Sequence, residues 1–488
     1  METAYRAFLT AYPEYAATES IDVLRAAEYS RLDAGGHVYL DYTGGSLYSE
    51  ALIREHAAWL TGGVFGNPHS VNESSSATTQ VVEQTRHDIL EWFNAGQDYV
   101  AVFTANASAA LKLVGESYAF QPSSRALLTV DNHNSVNGIR EFAHAKGATV
   151  DYTPLTMPEL RIDRAEVHEQ WRRRGDSEAP HLFAYPAQSN FTGVKHPLAL
   201  IEEAHALGWD VLLDAAAFVP TNRLDLQQVK PDFVVMSFYK MLGYPTGVGC
   251  LLIRRTALPR LQRPWFAGGT VNFATVQGRL HKLTPGEAGF EDGTLNYLSI
   301  PAVGMGLRRL RAIGMETIAT RIRCLTGWLL HELLDLRHDN GRPMVRIYGP
   351  ITTECRGGTI TLNLYDPDGH LLDYRRIEEL ASDDHLSLRT GCFCNPGAGE
   401  TAEGLTEEDM LAGIAAGEDV NLRRFMQIIQ HRGGKSAGSI RASLGLVSNF
   451  ADVYRFLAFV ARFRNQTQLT MGAVTFDIES CRIIRDRS

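Results

Sequence analysis

The stretch Phe233-Val234-Val235-Met236-Ser237-Phe238-Tyr239-Lys240 decides the fold of this chain. It is an apolar strand followed by a glycine-rich turn that carries a lysine, and Gly249–Ile253 then resumes the strand character. Burial disfavours an ammonium ion and lowers the pKa of a lysine, so an amine held between two buried strands can attack an aldehyde. An isolated turn lysine is nevertheless usually a solvated surface residue.

Asp214 changes the interpretation of Lys240. It ends the apolar run Val211–Leu213 and precedes Lys240 in the chain. Pyridoxal phosphate (PLP) needs a lysine for its Schiff base and a carboxylate on its pyridine nitrogen. A strand-end aspartate followed by a strand-loop lysine supplies that pair. The chain has only seven lysines, among which Lys195 and Lys230 stay open as alternatives.

Length and composition limit the classes of protein to consider. With 488 residues the chain can bury a large core and is expected to hold two domains. A net charge of −9 without a long basic run argues against nucleic acid as a partner. We expect no signal peptide and no membrane span, and six dispersed cysteines suit the reducing cytoplasm.

Polar groups follow the predicted strands at their carboxyl ends, where ligands bind in parallel sheets. The strands alternate with helices from about residue 80, so we predict an α/β fold with a mostly parallel sheet covered by helices on both faces. A domain boundary is expected near residue 310. Helical signals precede the first strand, and residues 398–436 are interpreted as an insertion, helical around Leu422–His431. The polar groups at strand ends are Thr104, His133, Asn190, Asp214 and Ser237–Lys240.

A set of motifs spans residues 39–450. The motifs are Tyr39-Leu40-Asp41, Gly66-Asn67-Pro68-His69-Ser70, residues 185–193, Leu213-Asp214-Ala215-Ala216-Ala217, Ser237–Gly247, Phe290-Glu291-Asp292-Gly293-Thr294, Arg389–Gly397 and Ser439–Gly445. Together they resemble the class V, fold-type I PLP enzymes, and within them the aminotransferase-like domain of the molybdenum cofactor sulfurases. The resemblance implies the fold-type I PLP-dependent transferase fold, with a seven-stranded-type sheet and a smaller α+β domain. The expected division is a helical segment at 1–35 packing with the small domain, a PLP-binding domain at 36–310 and a small domain at 311–488 that carries a cysteine loop.

The resemblance also implies roles for individual residues. Lys240 would carry PLP and move protons at the substrate Cα, and Asp214 would pair with the pyridine nitrogen. His133 would stack on the ring and act as a catalytic acid/base. Asn190 would bond the phenolic oxygen and lie near the substrate. The remaining cofactor contacts implied are Ala107, Ser108, Ser237 and Tyr239 around the phosphate, and Thr270 toward the cofactor of a partner subunit.

For the substrate, the resemblance implies that Arg441 binds the carboxylate with help from Arg389, and that Cys394 accepts the sulfur as a persulfide. The expected enzyme is therefore a cytoplasmic, homodimeric L-cysteine desulfurase that yields L-alanine, with a molybdenum cofactor or a protein as sulfur acceptor. No metal is expected.

Each of these roles has an alternative based on the residues alone. His133 could cap the following helix, and Arg441 could form a surface ion pair. Cys392 and Cys394 could be structural thiols or zinc ligands, although a C-x-C pair needs further ligands. Asn106 stands where desulfurases commonly have glycine, which asparagine tolerates if the turn is left-handed.

Two departures leave the sulfur acceptor open. The chain ends soon after the PLP fold, whereas eukaryotic sulfurases continue into a β-rich domain, and Gly399 stands where those enzymes often have a third cysteine. Two other functions also stay open. One is a class V C–S lyase, epimerase or aminotransferase without persulfide chemistry, and the other is a non-catalytic sulfur carrier or scaffold.

Overall fold

The computed structural model describes residues 1–68, 70–174, 178–414, 438–472, 475–477 and 482–484. The helix expected around Leu422–His431 and His69 of the Gly66–Ser70 motif lie outside the described residues. Among the described residues no helix is both long enough and apolar enough to cross a bilayer.

Strands are numbered along the described chain. They are β1 (Val38–Tyr39), β2 (Tyr99–Thr104), β3 (Arg125–Thr129), β4 (Thr149–Thr153), β5 (Leu155–Thr156), β6 (Arg161–Ile162), β7 (Leu182–Pro186), β8 (Asp210–Asp214), β9 (Phe233–Ser237), β10 (Gly249–Arg254), β11 (Val271–Ala274), β12 (His281–Leu283), β13 (Val345–Tyr348), β14 (Thr359–Leu364), β15 (Leu386–Ser387), β16 (Arg389–Gly391), β17 (Ser439–Ser443), β18 (Thr475–Asp477) and β19 (Arg482–Ile484).

The α-helices of the same residues are numbered likewise. They are α1 (Glu2–Ala11), α2 (Glu19–Glu28), α3 (Arg31–Ala34), α4 (Glu50–Gly62), α5 (Glu73–Trp92), α6 (Ala107–Ser117), α7 (Asn134–Asn137), α8 (Ile139–Ala145), α9 (Arg164–Arg172), α10 (Leu200–Ala206), α11 (Phe238–Leu242), α12 (Ile300–Ile313), α13 (Met315–Asp335), α14 (Tyr374–Asp383), α15 (Pro396–Glu403), α16 (Glu407–Ile414), α17 (Phe450–Ala461) and α18 (Gln468–Met471). Three 3₁₀ segments cover Pro13–Thr18, Arg255–Arg260 and Gly286–Phe290.

The large sheet has seven strands in the order β2-β10-β9-β8-β7-β3-β4. Strand β10 runs antiparallel to both of its neighbours, and the pairs from β9 to β4 are parallel. Strands β7 and β9 are buried along their whole length, which their continuous apolar runs require because both faces of the sheet are covered. The predicted mostly parallel α/β sheet is confirmed.

A second sheet of four antiparallel strands, in the order β13-β14-β17-β16, forms the core of the smaller lobe. The N-terminal helices pack on this lobe: the ring of Phe8 contacts those of Trp328 and Phe450, and Arg25 pairs with Asp452 at 2.5 Å. Strand β1 joins the same lobe by parallel pairing with β15. The chain after β1 therefore passes beside the small sheet, which brings Asp41 next to Ser443.

Two local predictions differ from the structure. Lys240 lies on the short helix α11 rather than in an open turn, and the left-handed Gly243 that ends the helix provides the turn. The helix expected over 301–319 is broken at Gly314, whose φ of +87° is accessible to glycine but rare for other residues. The boundary expected near residue 310 therefore falls inside α12, four residues before this break.

Candidate active site

A cavity of about 190 Å³ opens at the carboxyl ends of the central strands of the large sheet. Its walls contain nearly all the residues expected at the cofactor. Asp214 ends β8, Ser237 ends β9, and Lys240 follows on α11, so two neighbouring parallel strands bring the acid and the amine to one edge. The lining residues are Asn106, Ala107, Ser108, Leu111, His133, Ser135, Pro186, Gln188, Asn190, Asp214, Ala216, Ala217, Ser237, Tyr239 and Lys240.

Lys240 has the electrostatic environment of a nucleophilic amine. Burial lowers the pKa of its amine below the usual lysine value. The Asp214 carboxylate acts in the opposite direction, and the charges of Arg441, Asp41 and Cys394 also reach the amine. Asp214 is nine-tenths buried, and its Oδ1 accepts the N–H of Ala216, which fixes the carboxylate at the cavity wall.

Hydroxyl groups and the start of helix α6 form another part of the cavity wall. The Ser237 hydroxyl accepts the N–H of Ala107 at 2.8 Å, at the first residue of α6, and the Ser108 and Ser135 hydroxyls lie 2.6 Å apart. Backbone N–H groups and the dipole at a helix start favour an anionic phosphate. Asn106 caps this helix with φ near −174°, an extended backbone, so the left-handed turn considered for it is not needed.

His133 lines the cavity and also caps a helix. Its Nδ1 accepts the N–H of Ser135 at 3.1 Å at the start of α7. Burial lowers the pKa of its imidazole, with Asp214 acting to raise it and Lys240 to lower it. The capping role that the sequence left open is present, and it leaves the ring beside the cavity.

Asn190 differs in part from expectation. Its side-chain amide donates to the Phe393 carbonyl at 2.9 Å, and its Oδ1 accepts from the Asn395 amide at 2.8 Å. Asn190 is thus a cavity residue that also holds the cysteine loop, residues 392–395. Thr270 lies outside this cavity: its hydroxyl bonds the backbone of Ala267 and its side chain is fully buried. Its expected contact with a partner's cofactor stays a prediction.

Cys394 is exposed on that cysteine loop, between β16 and α15. Both Phe393 and Cys394 have positive φ angles, +55° and +54°, which are uncommon for residues other than glycine. The Cys394 carbonyl accepts the N–H of Asn134 at 2.7 Å, so the loop is attached next to His133. Within the described part of the chain, neither Cys392 nor Cys394 belongs to a cluster of three potential metal ligands.

The two arginines expected at the substrate lie side by side. Arg441 on β17 is buried, its guanidinium is 4.7 Å from the centre of the Phe393 ring, and it is the direct partner of Arg389 on β16. Both arginines pair with Asp41. Sequence reasoning assigned no role to Asp41, Ser135 or Asn395. Asp41 and Asn395 belong to the motifs Tyr39-Leu40-Asp41 and Arg389–Gly397, which could have marked them as site residues. Ser135 belongs to none of the motifs.

The aminotransferase class-V family model matches residues 38–456. The chain belongs to this family. Its relatives include the molybdenum cofactor sulfurase of Solanum lycopersicum, which is 37% identical over 472 residues that cover 91% of this chain and 57% of the relative. The molybdenum cofactor sulfurase of Homo sapiens is also 37% identical, over 90% of this chain and 51% of that protein. The chain thus spans between half and three fifths of the length of these relatives.

Among solved structures, the apo cysteine desulfurase from Thermococcus onnurineus has a TM-score of 0.74 and 21% identity, with 91% of this chain and 98% of that chain covered. This similarity confirms the fold-type I architecture. Family membership makes the chain a class V enzyme with PLP as its cofactor. The cavity fits that group, because it combines an enclosed amine, a buried carboxylate and hydroxyls at a helix start.

Proposed function

We propose that this chain is an L-cysteine desulfurase that yields L-alanine and retains the sulfur as a persulfide on Cys394. The observation that carries the proposal is the position of the Cys394 loop, residues 392–395, against the cavity. The cavity residue Asn190 donates to the Phe393 carbonyl at 2.9 Å, and the Phe393 ring lies 4.7 Å from the Arg441 guanidinium, so the residue before Cys394 contacts both the cavity and the expected carboxylate-binding group. A nucleophilic sulfur beside an amine and a carboxylate-binding group suits a substrate that carries amino, carboxylate and thiol groups.

The roles of the chain's own side chains follow from their surroundings. Bound PLP supplies an electron sink for a carbanion at the substrate Cα. Asp214 keeps a proton on the pyridine nitrogen, and Asn106, Ser108, Ser237 and the start of α6 hold the phosphate. Burial lowers the pKa of the Lys240 amine, which favours its neutral form as the base that accepts the Cα proton.

The sulfur step balances as a two-electron transfer. The Cys394 thiolate attacks the substrate sulfur and forms an S–S bond, while the substrate Cβ–S bond breaks and its electron pair stays with the carbon. Protonation of that carbon, together with return of a proton from Lys240 to Cα, gives alanine. The Cys394 sulfur and the transferred sulfur thereby reach the oxidation level of a persulfide, and the substrate carbon is reduced. No external oxidant is therefore required.

The partners are also proposals. The similarity to molybdenum cofactor sulfurases supports a molybdenum cofactor as the final acceptor. The six dispersed cysteines support a reducing cytoplasm as the location. A homodimer is supported by exposed apolar residues on and beside the β11–β12 hairpin, including Trp265, Phe273 and Leu280. Such exposed patches are typical of protein interfaces.

The test is incubation of the purified protein with L-cysteine, with alanine quantified and the Cys394 peptide examined by mass spectrometry. We expect Cys394→Ala to lower alanine formation by at least about 100-fold with the visible cofactor absorbance retained, since the sulfur acceptor is lost. Cys392→Ala is the matched control, because this cysteine is also exposed and two residues away.

Full turnover of Cys394→Ala would reject the persulfide mechanism. Release of sulfide with pyruvate and ammonia in place of alanine would instead identify a C–S lyase. A protein without any cofactor absorbance after addition of PLP would identify the non-catalytic carrier.

A further inference from the structure

Arg389 and Arg441 form an unfavourable pair by position alone. They are direct partners in the antiparallel pairing of β16 with β17. Like charges directly opposite each other destabilise a sheet. Local conflicts of this kind are concentrated at functional sites. A negatively charged group is therefore needed beside the two arginines.

Asp41 is the compensating group. Its Oδ2 accepts from Nε and Nη2 of Arg389 at 2.9 and 2.5 Å, and its Oδ1 accepts from Nη2 of Arg441 at 3.0 Å. Asp41 and Arg441 are buried, with 7% and 2% exposure, whereas half of the Arg389 side chain is exposed. Burial lowers the pKa of the Arg441 guanidinium, and the Asp41 carboxylate opposes that shift.

The cluster keeps one positive charge that is not compensated and one N–H donor that has no acceptor. Among the described residues, Asp41 is the carboxylate within ion-pair distance of both arginines, so these three groups carry a single positive charge. Glu378 also acts on Arg389, but from beyond ion-pair distance, and its carboxylate accepts from Thr390. Arg441 donates through Nη1 to the Asn190 carbonyl at 3.0 Å and through Nη2 to Asp41, but its buried Nε–H has no partner among the described residues. An unsatisfied buried donor is costly unless a ligand bonds it. A single carboxylate matches both the charge and the free donor.

We propose that Asp41 is the positioning residue for recognition of the amino-acid carboxylate. It orients Arg441 and accepts hydrogen bonds from Nε and Nη2 of Arg389. Its negative charge also cancels one of the two positive charges, so that the site accepts one carboxylate. This inference rests on the proposed function, in which Arg441 binds the substrate. It divides the arginine roles: Arg441 contacts the ligand, and Arg389 acts through Asp41.

Gly44 provides an independent way to move Asp41. A Cβ at position 44 would lie 2.7–2.9 Å from the Asp41 carboxylate, which is closer than real contacts allow. The backbone of Gly44 is not left-handed, so alanine is accessible there apart from this contact. Gly44→Ala thus displaces the carboxylate without changing any charge in the cluster.

The experiment titrates the PLP-loaded protein with L-alanine and with ethylamine, which is the same amine without the carboxylate, and follows the cofactor absorbance. We expect Asp41→Asn to raise the Kd for L-alanine at least tenfold and to leave the Kd for ethylamine within twofold. Gly44→Ala is expected to raise the L-alanine Kd by a smaller factor in the same selective way. Gly62→Ala, whose new Cβ meets nothing within 4 Å, is the matched control and should change neither value.

Three outcomes would overturn the inference. An unchanged L-alanine Kd in Asp41→Asn would remove Asp41 from recognition while the proposed function stands. Equal weakening for both amines would show general damage to the site. A wild-type protein that responds to neither amine would contradict the proposed function itself. If Asp41→Asn does not fold, as judged by thermal denaturation, the same selectivity in Gly44→Ala decides the question.

Discussion

The cavity floor, which consists of Asp214, Ser237 and Lys240, and the cysteine loop, residues 392–395, are held by different kinds of interaction. Asp214 and Ser237 end strands that are hydrogen-bonded within the seven-stranded sheet. The cysteine loop lies between β16 and α15, has two left-handed residues, and is attached to the large lobe by hydrogen bonds involving Asn134, Asn190 and Asn395.

This difference separates two requirements of the chemistry. Groups in a continuous buried sheet open only with the whole core, whereas a loop held by a few hydrogen bonds opens at lower free energy. The cofactor groups therefore keep a fixed geometry. If Cys394 carries sulfur as proposed, a loop held in this way allows its exposed thiol to move, as delivery to an acceptor requires. Changes on the two sides should therefore have separable effects.

The largest effect is expected on the floor, from Lys240→Ala. Removing the amine eliminates both the anchor for the cofactor and the base for the Cα proton, so we expect at least about a 10³-fold loss of alanine formation. The visible absorbance of the bound cofactor should change in position or disappear. Absorbance spectroscopy and turnover with L-cysteine measure the two effects.

Lys195→Ala is the control for that change. Burial also lowers the pKa of the Lys195 amine, but the amine bonds Asn222 rather than lining the cavity. Normal spectra and turnover in Lys240→Ala, or their loss in Lys195→Ala, would mean that the wrong lysine has been assigned.

An intermediate effect is expected from Asn395→Ala on the loop. The Asn395 side chain is fully buried and donates to the Asp131 carbonyl at 2.7 Å and to Asn190 at 2.8 Å. Its loss leaves buried acceptors unpaired, at a cost of about 1–3 kcal/mol. We expect persulfide formation to fall by about tenfold in rapid-quench experiments, with the cofactor absorbance unchanged.

Asn134→Ala tests whether the effect of Asn395→Ala comes from the loss of the hydrogen bonds that the Asn395 side chain makes. Asn134 contacts the loop through its backbone N–H, which alanine retains, and its side chain is exposed. It should behave like the wild type. If Asn395→Ala also disturbs the cofactor absorbance, the loop and the floor are one unit and the comparison is wrong.

The sequence predicted the floor better than the loop for a physical reason. Strands β8 and β9 contain the continuous apolar runs Val211–Leu213 and Phe233–Met236, so the ends of these strands, and with them Asp214 and Lys240, follow from the local pattern. The short helix at Lys240 and the break at Gly314 depend on the backbone angles of single glycines, which the pattern does not encode.

The tertiary parts of the site could not be derived in the same way. Asp41 meets Arg441 only because the chain after β1 passes beside the small sheet, 400 residues away in sequence. The contacts of Asn395 with Asp131 and Asn190 likewise join distant segments. Hydrophobic periodicity carries no information about such pairs, so the motif resemblance could point to these residues without giving their roles.

The smallest expected effect compares two glycines that flank the cysteine loop. Gly391 has φ near +102°, and a Cβ added there would meet nothing within 4 Å, so Gly391→Ala adds backbone strain without a steric clash, at about 1–2 kcal/mol. Gly399 lies on helix α15, where alanine would make an ordinary 3.6 Å contact with Phe191 and gain up to about 1 kcal/mol of helix propensity. Urea unfolding should therefore move in opposite directions for the two variants, and only Gly391→Ala should slow persulfide formation. Equal stability of the two would mean that the loop backbone is not constrained by its left-handed residues, and the contrast with the sheet would then depend on the side-chain anchors alone.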